Sequence, residues 1–414
     1  MKKAISVILA AVMVLSLAAC GGSAKRPKKE IDENTVILTL ALRSGTYSDV
    51  IQSCLYEFEE ANNVYCEVLE MEEDELHSGV VEDAAKPEGA YDLCMVDGSW
   101  MAEYTAKGVL ANLSSLGYEL DEDIIPATTE ICYSDGDIYL APYYGNVTVL
   151  LYNKAIVEGA GYKDGKTIDS LEDIKNICDY AKGYGNIGFM YRGDSANNYV
   201  VDFLPFLLSY GGWVVDENNR PTVDTPEFRQ ALSFYMGIAS SGDAAPRDDL
   251  VMAIANGAAA MGVGWPGWYT PNKKSSADYS AISGKVTADS PAFNANVYGV
   301  WTIGIPANSK NKELAEKLLE HLMDPKVQKS TVAAGGVPCR YSSLRDREIL
   351  EEFPQYEVVC KALEGGVYRP IMEEWSDFYT ILGAEMENIM KGDKSMDQGL
   401  ADAQAKLEEM LSSK

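Results

Sequence analysis

The sequence predicts an α/β protein with largely parallel sheets. Three observations carry this. From Thr35 onward, apolar runs of strand length alternate with amphipathic stretches of helical period. Two of those stretches open on helix-start signals: Ser170 with Asp173 three residues later, and Thr225 directly before Pro226. The chain is also 47% hydrophobic and 24% charged, an ordinary globular balance. At roughly 100–200 residues per domain, its length predicts two or three domains.

The first 20 residues are MKKAISVILAAVMVLSLAAC. Lys2 and Lys3 precede an uncharged apolar run over 4–19, shorter than the roughly 20 residues that span a bilayer, so 1–19 is expected to be a secretory signal peptide. Its end, Leu17-Ala18-Ala19-Cys20-Gly21, resembles the bacterial lipobox. That resemblance implies cleavage before Cys20 and a lipid anchor (diacylglycerol, palmitate) on its thiol. The alternative is a soluble secreted protein in which Cys20 is incidental. Residues 21–34 (GGSAKRPKKEIDEN) have no apolar period and read as a flexible tether, so 20–34 is lipidated cysteine plus tether. No later stretch is long and apolar enough to span a membrane, so the mature protein is expected outside the membrane and tied to it.

The segments then follow in order. Residues 36–42 (VILTLAL) form a buried-strand run, and Val50, Cys54 and Phe58 mark a helical face over 49–62. Residues 64–69 and 91–96 are further strands, with a helix after Ser99. Leu171, Ile174, Ile177, Cys178 and Ala181 stripe one helix; Phe228, Ala231, Leu232 and Tyr235 stripe the next. Leu314, Leu318 and Leu322 mark a helix that Asp324-Pro325 ends, and Leu400, Ala403, Leu407 and Leu411 mark the last.

Charge and composition exclude several classes. Lys+Arg 35 against Asp+Glu 63 leaves −28, and a field of that sign repels phosphate backbones, so no nucleic-acid partner is expected. The two histidines, His77 and His321, lie in acidic helix-like stretches. Ser-His-Asp and Cys-His catalysis and His-rich metal sites therefore lack their central side chain. Gly262, Gly264 and Gly267 have dinucleotide-fingerprint spacing, but Pro266 interrupts it and no helix start follows, so no cofactor is expected. Asp135-Gly136-Asp137 reads as a hairpin turn, with no calcium-loop pattern around it. The acidic run 70–75 (EMEEDE) reads as a solvated helix end or loop, and no metal site is assigned. Besides Cys20, the cysteines are 54, 66, 94, 132, 178, 339 and 360, an odd set without a C-x-x-C motif. Mostly free thiols are expected, with one or two disulfides left open.

Several blocks together resemble the extracellular solute-binding proteins of ABC importers (family 1, the maltose-binding-protein type). YDLCMVDGSWMAEYTAKGVLANLSSL (91–116) is similar to the family's strand–loop–helix ending in Lys-Gly-x-Leu-x-x-Leu. GDIYLAPYYGNVTVLLYNKAIVEGAG (136–161) carries its Gly-x-x-Tyr-x-x-Pro and Tyr-Asn-Lys block. LLSYGGWVVDENNRPTVDTPEFRQALSFY (207–235), NGAAAMGVGWPGWY (256–269), YGVWTIGIPANSKNKELAEKLLEHLMDPKVQ (298–328) and YRP (368–370) follow in family order.

The resemblance implies a two-lobe periplasmic-binding-protein-like fold (type II) whose hinge the chain crosses several times. It implies lobe one at 35–143 with a return at 288–336, and lobe two at 144–287 with C-terminal helices at 337–414. Crossings are implied near 142–146, 283–290 and 334–338. The implied protein is a monomeric, non-enzymatic receptor on the cell membrane that closes on a mono- or oligosaccharide and delivers it to ABC permease subunits.

The six tryptophans bear on the ligand. Trp265-Pro266-Gly267-Trp268-Tyr269 sets three large aromatics on a segment that Pro and Gly keep out of regular structure. Flat aromatic faces suit the C–H faces of pyranose rings, and Asp, Asn and Arg suit the hydroxyls. By resemblance, residues 96–100 form the first-lobe binding loop, giving Asp97 and Trp100. Asn146 stands where maltose-binding protein has a sugar-contacting carboxylate. Tyr199, Trp213, Arg369 and Tyr379 are further implied contacts, and Ser44 and Tyr47 would supply polar groups from lobe one. Tyr143 and Tyr144 fall at the hinge, as ligand contacts or as packing. Trp301 and Trp375 are expected to be packing. Three other readings stay open: an amino-acid or peptide ligand clamped by Arg369 or Arg192, a ferric ion on Tyr143 and Tyr144, and an exported carbohydrate enzyme using two carboxylates.

Overall fold

The computed structural model describes residues 29, 31–163, 165–271 and 274–413. The signal peptide, Cys20 and almost all of the tether lie outside the described residues.

Eleven strands occur among those residues. They are β1 (Val36–Arg43), β2 (Val64–Met71), β3 (Leu93–Asp97), β4 (Tyr133–Ser134), β5 (Asp137–Ile138), β6 (Ala141–Tyr144), β7 (Val149–Asn153), β8 (Ile187–Met190), β9 (Ala259–Gly264), β10 (Ala277–Ser280) and β11 (Trp301–Gly304). Sheet one has the order β2-β1-β3-β11-β6, and sheet two the order β10-β7-β9-β8. β4 and β5 form the hairpin expected around Asp135-Gly136, where both residues have positive φ. β1 runs parallel to β2 and β3, whereas β11 is antiparallel to β3 and β6. A strand from residue 301 thus inserts between two that end by residue 144, so sheet one is made of separate segments of the chain. In sheet two, β8 and β9 are parallel and β7 is antiparallel to both its neighbours.

Local signals explain where elements begin. The Ser170 hydroxyl accepts from the Asp173 amide at 3.2 Å and opens the helix Leu171–Gly183. Thr225 caps Pro226–Ile238 in the same way, its hydroxyl accepting from Phe228 N at 3.3 Å. Asp324 caps Pro325–Thr331, so the Asp-Pro that ends one helix starts another. The single helix expected over 49–62 is instead two, Thr46–Gln52 and Leu55–Asn62. The chain tightens between them, with Cys54 N donating back three residues to Ile51 O at 3.1 Å.

The core divides on sheet two. One cluster fills sheet one and its helices and reaches the face of β7 that bears Val149 and Leu151. The other packs Leu150, Ala260 and Val263 against helices that include Leu171–Gly183, Pro226–Ile238, Trp375–Lys391 and Met396–Ser412. A strand buried on both faces needs a continuous apolar run, which is why β7 begins VLL and does not alternate.

Three segments that pass between the two core clusters pair with one another. Thr148 N donates to Val297 O and Gly299 N to Asn146 O, both at 2.9 Å. Tyr298 N donates to Val367 O, and Val367 N to Asn296 O, also at 2.9 Å. The Gly/Ser-rich stretch 283–290 belongs to a turn within the second lobe: Gly284 N donates to Phe293 O and Ala295 N to Ile282 O. Residues 339–341 remain on the first lobe, where Ile125 N donates to Cys339 O and Tyr341 N to Asp123 O. The hydrogen bonds among the three segments involve Asn146, Thr148, residues 296–299 and Val367.

Candidate functional site

A cavity of about 680 Å³ opens between the lobes and is lined by both, beside the connecting segments. On the first lobe, β1 ends in Arg43, Ser44 and Gly45, whose φ of 80° turns the chain into the helix that carries Tyr47. β2 runs into Glu72, Glu73 and Asp74 at the start of the helix Glu73–Ala84. β3 ends in Asp97. The carboxyl ends of parallel strands are where an open α/β sheet places its ligand crevice. The second lobe supplies Arg192, Asp194 to Asn198, Arg247, Asp248, Trp265, Trp268 and Tyr379, and the connections supply Asn146, Gly299 and Arg369.

Asp97 is 4% exposed. Its carboxylate accepts from Ser99 N at 2.9 Å and Ser99 Oγ at 2.8 Å, and forms an ion pair with the Arg369 guanidinium. Arg192 donates Nε to both oxygens of buried Asp202 at 3.1 Å and lies 4.9 Å above the Trp268 ring. Asn146 Nδ2 donates to the Tyr47 hydroxyl at 3.1 Å. Glu73 accepts from Asn197 Nδ2 at 3.2 Å, a hydrogen bond across the cleft.

Burial, then the nearby Asp97 charge, raises the pKa of Glu73, against the pull of Arg369, Arg43 and Arg192. The Ser44 hydroxyl hydrogen bond and the Arg43 charge lower that of Glu72 against desolvation. Burial pushes the Tyr47 and Tyr379 phenols up to about 12, so both present neutral hydroxyls. Three buried polar atoms of residues in the wall, Asn146 Oδ1, Asn197 Oδ1 and Arg369 Nε, have no hydrogen-bond partner. The two amide oxygens are acceptors and the guanidinium nitrogen a donor.

Of the expected ligand residues, the cavity wall contains Ser44, Tyr47, Asp97, Asn146, Trp265, Trp268, Arg369 and Tyr379. The other five lie elsewhere. Trp100 is buried behind the wall, its ring 5.5 Å from Trp301 and 4.9 Å from His77. The Gly98–Trp100 turn directs its side chain into the lobe. Tyr144 is fully buried, donates to Gly335 O at 2.7 Å and stands edge-on to Tyr47, so it packs the hinge. Tyr199 is buried against Tyr191, and its helix presents Asn197 and Asn198 to the cavity instead. Trp213 packs against the second-lobe core in a turn where its carbonyl accepts from Thr222 at 2.8 Å. Tyr269 is turned away from the cavity, its amide donating to the Tyr279 hydroxyl at 3.1 Å. Trp301, expected as packing, borders the cavity, while Trp375 does stack in the core on Phe378.

Residue-by-residue reading missed Arg43, Glu72 to Asp74, Asp194, Ser195, Arg247 and Asp248. A signal for the acidic three was present: they directly follow a strand and begin a helix, at the carboxyl edge of the sheet. Neither tyrosine of the ferric reading lines the cavity. Burial raises the pKa of both Tyr143 and Tyr144 well above the ordinary phenol value, and the Tyr144 hydroxyl is committed to Gly335. Among the described residues, no three His, Cys, Asp or Glu side chains converge as a metal site.

A family profile described as bacterial extracellular solute-binding protein matches residues 55–356. The chain is 20% identical over 385 residues to a probable amino-acid ABC transporter periplasmic-binding protein of Sinorhizobium fredii, covering 89% of this chain and 88% of that one. It is 24% identical over 399 residues to the diacetylchitobiose binding protein DasA of Streptomyces coelicolor, covering 91% and 90%. Its fold is similar to that of an ABC transporter solute-binding protein of Agrobacterium radiobacter solved with ribitol, at TM-score 0.79 and 23% identity, covering 92% of this chain and 100% of the other.

Proposed function

Because the chain belongs to the bacterial extracellular solute-binding proteins, we propose that it is the extracytoplasmic receptor of an ABC importer for a small sugar or sugar alcohol. It acts by closing two lobes on the ligand and presenting the closed form to the permease. A lipid on Cys20 holds it, as a monomer, at the outer face of the membrane, and it performs no chemistry on its cargo. No helix among the described residues is long and apolar enough to cross a membrane.

The observation that carries this reading is the cavity wall. Buried Asn146 Oδ1 and Arg369 Nε stand without partners in the same cavity as the Trp265 and Trp268 rings. An unpaired buried acceptor and donor match a hydroxyl, which both accepts and donates, and the indoles match the apolar face of a sugar ring. A cavity of about 680 Å³ suits one or two rings. We place the hinge at 145–148, 296–299 and 366–369. Closure there is favoured by groups that touch the ligand from both lobes at once, Asp97 and Tyr47 from the first and Trp268 and Tyr379 from the second.

An amino-acid ligand is the second reading, favoured by the guanidiniums in the wall and by the name of the Sinorhizobium relative. Titrating the purified protein with sugars, sugar alcohols and amino acids, read by tryptophan fluorescence, separates the two. A saturable response to one sugar class that Trp268→Ala removes is the expected result. Silence to every sugar with a response to an amino acid overturns the carbohydrate assignment.

A further inference from the structure

The cavity wall carries more negative charge than its own cations balance. Each of its four guanidiniums is paired with a carboxylate: Arg43 with Glu72 at 2.9 Å, Arg247 with Asp248 at 2.7 Å, Arg192 with Asp202, and Arg369 with Asp97. Three more carboxylates line the same cavity, Glu73, Asp74 and Asp194. None of them has a cationic partner among the described ion pairs. Asp194 accepts from its neighbour Asn198 at 2.7 Å, whereas Glu73 looks across the cleft.

Glu73 is held in one orientation. It sits in the first turn of Glu73–Ala84, where helix geometry favours a carboxylate. Its contact across the cleft is with Asn197 Nδ2, and the oxygen of that same amide is buried without a partner. Asn146, 4% exposed and lining the same cavity, carries a second unpartnered oxygen. The cavity therefore offers a carboxylate and two unsatisfied amide oxygens, all acceptors. A hydroxyl has one proton to give them, and a protonated amine has three.

We propose that the cargo is an amino sugar, its ammonium group held by Glu73 of the first lobe and Asn197 of the second. The proposal rests on the carbohydrate reading of this cavity. An ammonium in that position makes the contact that closure needs, since one cationic group engages both lobes, and it charge-balances Glu73. The chain's net charge of −28 acts in the same direction, because it attracts a cation from a distance and gives a neutral hexose no such steering.

The test is calorimetric titration of the purified protein with glucosamine, galactosamine and mannosamine, each beside its parent hexose and its neutral N-acetyl derivative, with glucuronate as the anionic control. At low salt, at least one amine is expected to bind ten or more times tighter than its parent and its N-acetyl form. That ratio should narrow as salt is added. Glu73→Gln, which keeps an oxygen for Asn197, should bring the ratio to within about threefold of one. The wild-type ratio and its salt dependence test the charge without any variant. Amine and parent bound within threefold of each other, a preference for glucuronate, or a ratio that Glu73→Gln leaves intact each overturns the amine assignment while the sugar receptor stands. No heat with any of these sugars overturns this inference, and silence to the wider panel of sugars and sugar alcohols as well overturns the carbohydrate reading with it.

Discussion

Replacing Asp97 by alanine should destabilise the protein by about 2.5–3.5 kcal/mol. The figure follows from what the carboxylate holds. Its side chain is 5% exposed and that of Arg369 6%, so the ion pair is desolvated on both sides. Removing one partner of such a pair costs roughly 3–5 kcal/mol, because the remaining charge is left buried. Arg369 borders a cavity that water can enter, so rehydration of the guanidinium should recover about half of that. The same carboxylate caps the turn after β3 through Ser99 N and Ser99 Oγ, and losing a cap adds about 1 kcal/mol. Asp97→Asn, which keeps one oxygen for the cap, should fall between wild type and Asp97→Ala. The double variant Asp97→Ala/Arg369→Met should be more stable than Asp97→Ala alone by about 1–2 kcal/mol, because it strands no charge. Urea unfolding at neutral pH reads all four proteins through their midpoints, provided the slopes agree. A cost below 1 kcal/mol for Asp97→Ala, or strictly additive effects in the double variant, would refute the claim that this pair is a buried, coupled unit.

Three further outcomes test other parts of the molecule. A Cβ at Gly267 would lie 1.9 Å from the Tyr144 hydroxyl, which is itself tied to Gly335 O. Gly267→Ala should therefore weaken ligand binding roughly tenfold by forcing the lobes apart, with a measurable increase in radius by small-angle scattering; unchanged affinity and radius would remove Tyr144 from the hinge contact. Burial raises the Glu103 carboxyl, but hydrogen bonds from His77 and Lys107 outweigh it and hold its pKa at about 2. The resulting stability is present above the ordinary glutamate range and is lost as pH falls towards 2. Glu103→Gln should thus cost about 2 kcal/mol at pH 6 and little at pH 2 in urea melts, and a pH-independent cost would contradict the assignment. Among the described residues seven cysteines are free and mostly buried, with Cys54, Cys94, Cys178 and Cys339 pushed up to about 12 by desolvation. Ellman titration should find almost no fast thiol in the native protein and seven on denaturation; an eighth identifies Cys20 as unmodified, and fewer than seven reveals a disulfide.

The alternation of strands and helices was legible because it is written locally. Ser170 and Thr225 cap the helices they were expected to cap, and the run VLL at the start of β7 reports a strand covered on both faces. Part of the site was legible for a related reason. Ser44 and Asp97 end strands, and strand ends in an α/β sheet meet the crevice whatever the rest of the chain does. One residue further along a turn or helix, that logic stops. Trp100 is three residues past Asp97 yet points into the lobe, and Tyr199 is buried while Asn197 and Asn198 face the cavity. About 100° of rotation separates consecutive helical residues, and only packing against the other segments decides which of them faces the cleft. The wall's charge was less legible still. EMEEDE reads as solvated because nothing near it in sequence opposes it. Its neighbours in space are Arg43, Arg192 and Arg369, from a strand end, a second-lobe loop and the last connection. Each of those guanidiniums has a carboxylate of its own, Glu72, Asp202 and Asp97. Counted by residue, the wall holds six carboxylates against four guanidiniums. Each guanidinium is spent on a carboxylate, which leaves Glu73, Asp74 and Asp194 without one among the described ion pairs.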